Sequence, residues 1–445
     1  MVHKVLWICL ARCLDSSYSR LIPTTFLLVS LSSFLFSFDF KLASYNVENL
    51  FDMEYSGHEY REYIPNRHNW NRQTLSKKLL NISEVICEIN ADIIGLQEIE
   101  NSNILHQLQQ TLRRVGCRYR YRAITHKKNS AIQVAILSKI PIQATKEIVV
   151  KRALGYRNIL EVKYLFDHKP LYIYVNHWKS KSSKEAKRIV SARALVKRLQ
   201  SLPKESEYIL LGDFNSDYNE YIHIGRETGI NHILKTIDRD GYMVRESTIT
   251  RDSFEHYNLW LELPNYKRWS HNFYGDKQAL DSIIIPYSMV DGKGVDYIKN
   301  SFYVIKKHYL FHKKGYIFRW VYKNGKHRGE GYSDHLPIVA SFSTDKLFKK
   351  KESKIYNGSI EMIYKKDITF PILLQRVKVV EKEKNKILIE DIHSKKTISI
   401  YGTKDSFILG EYYDIRVYKR KLYKDKYEII DFEIEKRYYS IKKRD

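Results

Sequence analysis

Cysteine is scarce in this chain: four residues in 445, of which Cys9 and Cys13 lie in an N-terminal leader. There is no Cys-x-x-Cys pair, which argues against a zinc site built from thiolates. Cys87 and Cys117 remain for the body, where one disulfide and two unpaired thiols are equally open readings. Long apolar runs are scarce too. After residue 37 no stretch approaches the roughly 20 predominantly apolar residues of a spanning helix, so no integral membrane association is expected once the leader is removed. No internal repeat or long low-complexity tract is visible. Acidic residues are in deficit, 51 against 76 Lys and Arg, for a formal net charge of +25. A solvated surface does not need that imbalance. It favours a polyanionic partner: nucleic acid, an anionic membrane or an acidic polymer.

What is present divides the chain. Residues 1–37 read as a leader with a signal peptide, because "RLIPTTFLLVSLSSFLFS" offers a positive residue, an apolar stretch and small residues near its end. The expectation is export, to the periplasm or the medium. Residues 38–345 mix apolar extended runs with amphipathic helices. Leu75, Leu79, Ile82, Ile86 and Ile89 fall at helical spacing. A second helix covers "NILHQLQQTLRRVG", with Ser102 as its cap and Gly116 as its stop. A third covers "SSKEAKRIVSARALVKRLQ", with Ser182 and Glu185 at capping-box spacing. This mixture predicts an α/β core with flanking helices. Residues 346–357 read as a basic linker. Residues 358–445 are strand after strand, with turns at Glu383–Lys386, His393–Lys396 and Lys421–Lys426. They fit a small OB-like β domain, either a single-strand binder or a structural module.

Polar residues recur at the ends of the apolar runs. "KLASYNVENL" ends with Asn46 and Glu48, "ADIIGLQEIE" with Glu98, and "LYIYVNHW" with Asn176 and His177. "YILLGDFNSD" ends with Asp213 and Asn215, which side-chain alternation would aim the same way. "ALDSIIIP" opens with Asp281, and "GYSDHLPIV" sets Asp334 and His335 just before a strand. Each alone has an ordinary explanation in a turn or a packed side chain. Charges collected at buried edges cost several kcal/mol unless paired or metal-bound. Oxygen ligands without cysteine favour magnesium, with manganese and calcium as alternatives.

These motifs, in this order from about Phe38 to Phe342, resemble the endonuclease/exonuclease/phosphatase superfamily. The chain is similar to its secreted bacterial nuclease branch and, more distantly, to pancreatic deoxyribonuclease. The resemblance implies a four-layer α/β sandwich of two packed sheets flanked by helices. It implies a divalent cation held by Glu98 and Asn46, with Glu48 as a second-metal ligand and Asp334 assisting metal or water. Asp213 and Asn215 would orient water and phosphate, and Asp281 would orient His335 on the phosphate. His177 matches the histidine of the deoxyribonuclease-like branch and is read as the acid for the leaving alkoxide, with exchange of roles between the two histidines left open. Arg157 lies where the family often places a phosphate-binding arginine. Asn176, Lys179 and Lys181 would also face nucleic acid, although a solvated loop explains Lys181 equally well. Asp217 reads as an ordinary loop residue.

The expected activity is metal-dependent hydrolysis of DNA, with RNA as a second candidate, by a monomer with little sequence preference. One alternative is a lipid or inositol-phosphate phosphodiesterase such as a sphingomyelinase, for which the aromatic stretch His256 to Trp269 would serve lipid contact. Another is a non-catalytic secreted DNA-binding or adhesion protein.

Overall fold

A computed structural model of the protein describes residues 38–345, 356–365, 367–383, 385–401 and 407–438. The leader and most of the linker segment lie outside the described residues.

Apolar runs and helical periodicity produce the elements. The first part contains β1 (Asp39–Leu50), α1 (Arg72–Ile89), β2 (Ile93–Ile99), α2 (Ser102–Arg114), β3 (Tyr121–Ile124) and β4 (Gln133–Ser138). Next come β5 (Ala144–Ile148), β6 (Ile159–Phe166), β7 (Lys169–His177), α3 (Glu185–Leu199) and β8 (Glu207–Asp213). After β9 (His256–Asn258), a hairpin of β10 (His271–Phe273) and β11 (Asp276–Gln278) leads into β12 (Asp281–Pro286). Short strands β13 (Asp296–Tyr297) and β14 (Tyr303–Val304), a hairpin of β15 (Tyr322–Lys323) and β16 (Lys326–His327), and β17 (Ile338–Ser343) complete the sandwich.

One sheet runs β13-β17-β1-β2-β4-β3, with β14 also on β17, and the other runs β5-β6-β7-β8-β12-β9. Alternation along the strands assigns the layers. Leu42, Ile93, Val134, Val175, Leu211 and Ile283 meet between the sheets. Their neighbours Ala43, Ile94 and Leu96 turn outward against α1 and α2, while Tyr174 and Leu210 turn outward against α3. The result is the expected helix–sheet–sheet–helix sandwich. All five helical positions read from Leu75 to Ile89 are buried.

Two caps differ from the sequence reading. Asn101, not Ser102, caps α2, accepting from the backbone N–H groups of Asn103 and Ile104 at 2.9 and 3.1 Å. The capping box at α3 does not form. Glu185 instead accepts from Gly229 N–H at 2.8 Å and Arg188 Nε at 2.6 Å, so a buried tertiary pair outcompetes the local one. Cys87 and Cys117 form a disulfide that ties the end of α1 to the segment after α2.

The C-terminal part carries β18 (Tyr356–Gly358), β19 (Ile372–Lys382), β20 (Lys386–Glu390), β21 (Thr397–Tyr401), β22 (Tyr412–Tyr423) and β23 (Lys426–Tyr438). The order β19-β20-β21-β23-β22 returns to β19, with β21 and β23 parallel. This is a five-stranded closed barrel of OB type. β18 pairs with β19, so the strand structure begins inside the segment read as linker.

The barrel packs on the sandwich through buried charge. Arg268 and Arg245 both pair with Glu433, and Arg245 and Arg416 pair with Glu435. Arg268 and Glu433 have side chains only 1% exposed. Asn265 Nδ2 donates to Phe432 O at 3.1 Å, and Arg437 Nη1 donates to Ile222 O at 2.9 Å. Burial pushes the Glu433 carboxyl up, but Arg245 and Arg268 outweigh it and hold the group at about 2, against an ordinary 4.5. Removing one member of such a pair strands the other without water. Glu433→Gln should therefore lower the unfolding free energy by about 3–5 kcal/mol, measured by urea titration. A carboxylate depressed in the folded state stabilises above its unfolded pKa, and that share is lost as pH falls. The gap between variant and wild type should shrink between pH 4.5 and about 2.

Candidate active site

Strand register places the key side chains. β8 lies between β7 and β12, and Asp213 pairs across with His177 on one side and Asp281 on the other. Gly212 makes that row fit, since a Cβ there would overlap the Asn176 carbonyl and its φ is +131°. In the facing sheet, bulges interrupt the β1–β2 and β2–β4 ladders beside Glu48 and Glu98. Glu48, Asn49, Glu98 and Asn215 have φ of 51°, 60°, 66° and 48°, a left-handed conformation uncommon for such residues. Bulged backbone of this kind re-aims side chains at strand ends. Asn215 therefore does not reach the site by strand alternation. Its N–H donates to Asp213 Oδ1 at 2.8 Å, and its amide donates to Trp178 O at 3.1 Å. Phe214 turns into the core against Trp178.

The ends of the two sheets meet around Asp213. Asn46 Nδ2 donates to Asp213 Oδ2 at 3.1 Å and to Glu98 Oε1 at 3.2 Å. His177 Nε2 lies 3.6 Å from Asp213 Oδ2 and 3.7 Å from Glu98 Oε1. His335 Nε2 lies 3.9 Å from Asp213 Oδ2, and its Nδ1 is 2.7 Å from Asp281 Oδ2. All of these groups except Glu98 are buried.

The surroundings of the two histidines shift them in opposite directions. Burial pushes His177 well below its ordinary value, and the nearby cations Arg157 and His335 push the same way. Burial would also lower His335, but the Asp281 charge and hydrogen bond, with Asp213 and Asp334, raise it well above. Burial pushes Asp213 up to about 7; His335 opposes this and Asp281 adds to it. Glu98 is raised by burial and then by Asp334.

Glu98 fits a divalent cation. Among the described residues its oxygens take hydrogen bonds only from the neutral donors Asn46 Nδ2 and Asn49 N–H. A raised carboxylate with neutral partners, beside Asp213, is an electrostatic deficit that a hard cation fills. Asp213, Asp281 and His335 also converge closely enough to share an ion, as do His271, Asp334 and His335.

Four sequence expectations need correction. Glu48 is not presented as a free metal ligand: its oxygens take Arg319 and the Trp320 N–H. Burial and then Asp334 hold it at about 7. Asn176 faces inward, donating to Tyr174 O at 3.0 Å and accepting from Trp178 Nε1 at 3.0 Å, which withdraws it from any substrate. Lys181 is engaged by Asp217 and Glu220 at 2.6 and 2.8 Å. Asp217 is consequently more than a loop residue, since it also accepts from Ala279 N–H at 2.7 Å. Arg157 donates to Trp178 O at 2.8 Å beside His177, and Lys179 makes no ion pair among the described residues. Asp334 lies 3.4 Å from Arg319. Burial would raise it, but His335 and Arg319 outweigh that and lower it.

The sequence reading missed three groups. Ser270 donates to Asp281 Oδ2 at 2.6 Å, and the His271 ring lies 4.8 Å from that of His335. Arg319 caps Glu48 from the segment before β15. The Tyr-Gly turn of the β10–β11 hairpin and the Asn-Gly turn of β15–β16 both have positive φ at both positions. Gly-containing two-residue turns are a readable hairpin signal. A cavity of about 460 Å³ lined by Glu48, Tyr63, Arg319, Trp320 and Tyr322 adjoins the site.

The site is thus a two-sheet sandwich with buried carboxylates and two histidines gathered at one edge. The chain belongs to the Endonuclease/Exonuclease/phosphatase family, whose model matches residues 41–344. That superfamily includes DNA-processing nucleases and phosphatases, typically metal-dependent. No curated protein sequence matches the chain. Among solved structures, the chain is similar to TDP2 from D. rerio complexed with a single-strand DNA product. Identity is 15% and the TM-score 0.44, over 68% of this chain and 98% of that one. A family protein from Leptotrichia buccalis is 16% identical, TM-score 0.42, over 68% and 99%. Another from Bacteroides thetaiotaomicron is 12% identical, TM-score 0.44, over 69% and 99%.

Replacing Asp281 with Asn should remove the charge that keeps His335 protonated. The His335 ring should then titrate at lower pH in NMR, with the far-UV circular dichroism unchanged.

Proposed function

We propose that this protein is an exported, metal-dependent nuclease that hydrolyses phosphodiester bonds in DNA, and secondarily RNA, with little sequence preference. The observation that carries the reading is the convergence of His177, His335, Asp281 and Glu98 around Asp213 at the ends of the two sheets, in a chain of net charge +25. When bound at Glu98 and Asn46, a divalent cation would neutralise phosphate charge. Asp213, raised toward neutrality, accepts a proton from the attacking water and holds it with Asn215. His335, kept cationic by Asp281, supplies positive charge to the phosphate and a proton to the leaving oxygen. His177, kept neutral, donates a hydrogen bond and not a proton, which reverses the first assignment of acid. Arg157 and Lys179 face the backbone phosphates.

Export is part of the proposal. The Cys87–Cys117 disulfide supports it, because such bonds persist in oxidising compartments. Less supports the lipid-directed alternative: of the aromatic stretch read for lipid contact, Tyr257, Leu259, Trp260 and Trp269 are buried and Tyr266 is exposed.

Glu98→Ala and His335→Ala should each reduce plasmid nicking by about 10²–10⁴-fold, and chelator should abolish it in the wild type. Normal nicking by both folded variants, or efficient sphingomyelin hydrolysis without nicking, would sink the reading. The pH profile of kcat/KM should fall on the alkaline side as His335 deprotonates. Asp281→Asn should move that limb to lower pH, because the charge holding the proton is gone.

A further inference from the structure

The stretch from Tyr266 to Lys277 runs beside the site, and the catalytic reading leaves much of it unused. The Ser270 carbonyl accepts from Leu336 N–H at 2.7 Å, and His271 bridges to His335 in antiparallel fashion. This fixes the stretch against the residue that would touch the phosphate. Just before it, Trp269 carries two ammonium groups. Lys306 Nζ lies 3.9 Å from its ring centroid and Lys277 Nζ lies 4.9 Å from it. Lys306 Nζ also donates to Lys267 O at 3.1 Å, which draws the third lysine's backbone into the group. Among the described residues none of these three lysines is within salt-bridge distance of a carboxylate. Elsewhere the structure pairs its crowded cations: Arg245, Arg268 and Arg416 share Glu433 and Glu435. On either side of the lysines stand exposed rings. Tyr266 is 68% exposed, and Tyr274, at the tip of the β10–β11 hairpin, is 90% exposed.

We propose that Lys267, Lys277 and Lys306 form a phosphate-binding subsite on the Trp269 side of the active site, holding the nucleic-acid strand next to the bond being cut, with Tyr266 and Tyr274 offering planes to its bases. This rests on the nuclease reading for its substrate class. Uncompensated cations beside exposed aromatic rings match a strand whose backbone is tracked by charge and whose bases stack. Lys306 is pushed down to about 7, by burial and then by Lys277 and Lys267, although its side chain still reaches solvent. An anion seated between the three would reverse that repulsion. A membrane surface would also meet lysines and tyrosines. Continuity with His271 and His335 favours the strand, because a phosphate in the site carries its neighbours across this ledge.

The test is anisotropy of a labelled single-stranded 12-mer, in the full-length His335→Ala background so that the strand stays intact. The K267Q/K277Q/K306Q variant is compared with K169Q/K204Q/K293Q, an equal charge change at the far end of the sheet from His177 and Asp213. Three lost phosphate contacts should lower the slope of log K against log salt by about 2 and weaken binding about tenfold or more at low salt. The control triple should change affinity less than about threefold. Equal losses in both triples would mean bulk charge only and would overturn the subsite. So would unchanged binding by the first triple. Loss of binding to vesicles with 30% anionic lipid, with strand binding intact, would overturn it in favour of a membrane. Failure of the wild type to cleave any nucleic acid would count against the nuclease reading alone, since the subsite is judged by the binding slope.

Discussion

The structure is organised around negative charge that has been taken out of water. Glu48, Glu98, Asp213, Asp281 and Asp334 gather where two sheets end, and most of that group is buried. Carboxylates in such a place are costly unless something positive faces them. The protein supplies partial answers at different points. Arg319 covers Glu48 and reaches Asp334, His335 lies between Asp281 and Asp213, which raise its pKa, and Asn46 spreads one amide over two carboxylates. Among the described residues the hydrogen bonds to Glu98 come from the neutral donors Asn46 and Asn49. The imbalance is uneven, and its unevenness separates the places for a cation, for a proton donor and for a water.

The neighbourhood of each histidine, and not the histidine itself, decides its role. His177 and His335 share the same side chain, similar burial and a common neighbour in Asp213. Only His335 has a carboxylate on its second nitrogen, and Ser270 holds that carboxylate in place. Among the described residues His177 Nδ1 has no hydrogen-bond partner. The strand row His177–Asp213–Asp281 puts the difference one strand apart. A single register shift would exchange side-chain faces and destroy it.

This explains what could be read from the sequence. The strand runs, their order and the polar residue closing each are local properties, so Asn46, Glu98, His177, Asp213, Asp281 and His335 were legible together. Their convergence was not local, yet six motifs at six strand ends leave few other places for them to meet. Contacts made across long separations were not legible. Arg319 pairs with Glu48 over 271 positions, and nothing in "GYIFRWV" marks it. Asn176 precedes His177 in the same strand, so alternation already sets the two on opposite faces, but the partners that hold Asn176 there lie at Tyr174 and Trp178. Lys181 reads as a groove cation until Asp217 and Glu220 are placed beside it. Backbone conformation was legible only in part: Asn215 is of a residue type that favours the left-handed region, whereas Glu98 carries no such signal.

The barrel completes the same logic at a distance. Glu433 on β23 fixes Arg268, whose Nε also donates to Leu263 O at 2.7 Å. Arg268 is two residues from Ser270, which holds Asp281, which holds His335. Apart from the two residues of backbone between Arg268 and Ser270, each link is a hydrogen bond or ion pair between buried groups. A barrel attached only by a flexible tether would have no reason to bury three arginines and two glutamates at its base. An appended module that merely collects substrate can move freely, whereas one that braces the segment carrying the orienting serine has to be rigid. The buried pairs, and one core cluster that includes Tyr218, Ile222 and the barrel's Phe432 and Ile434, join this barrel to the sandwich.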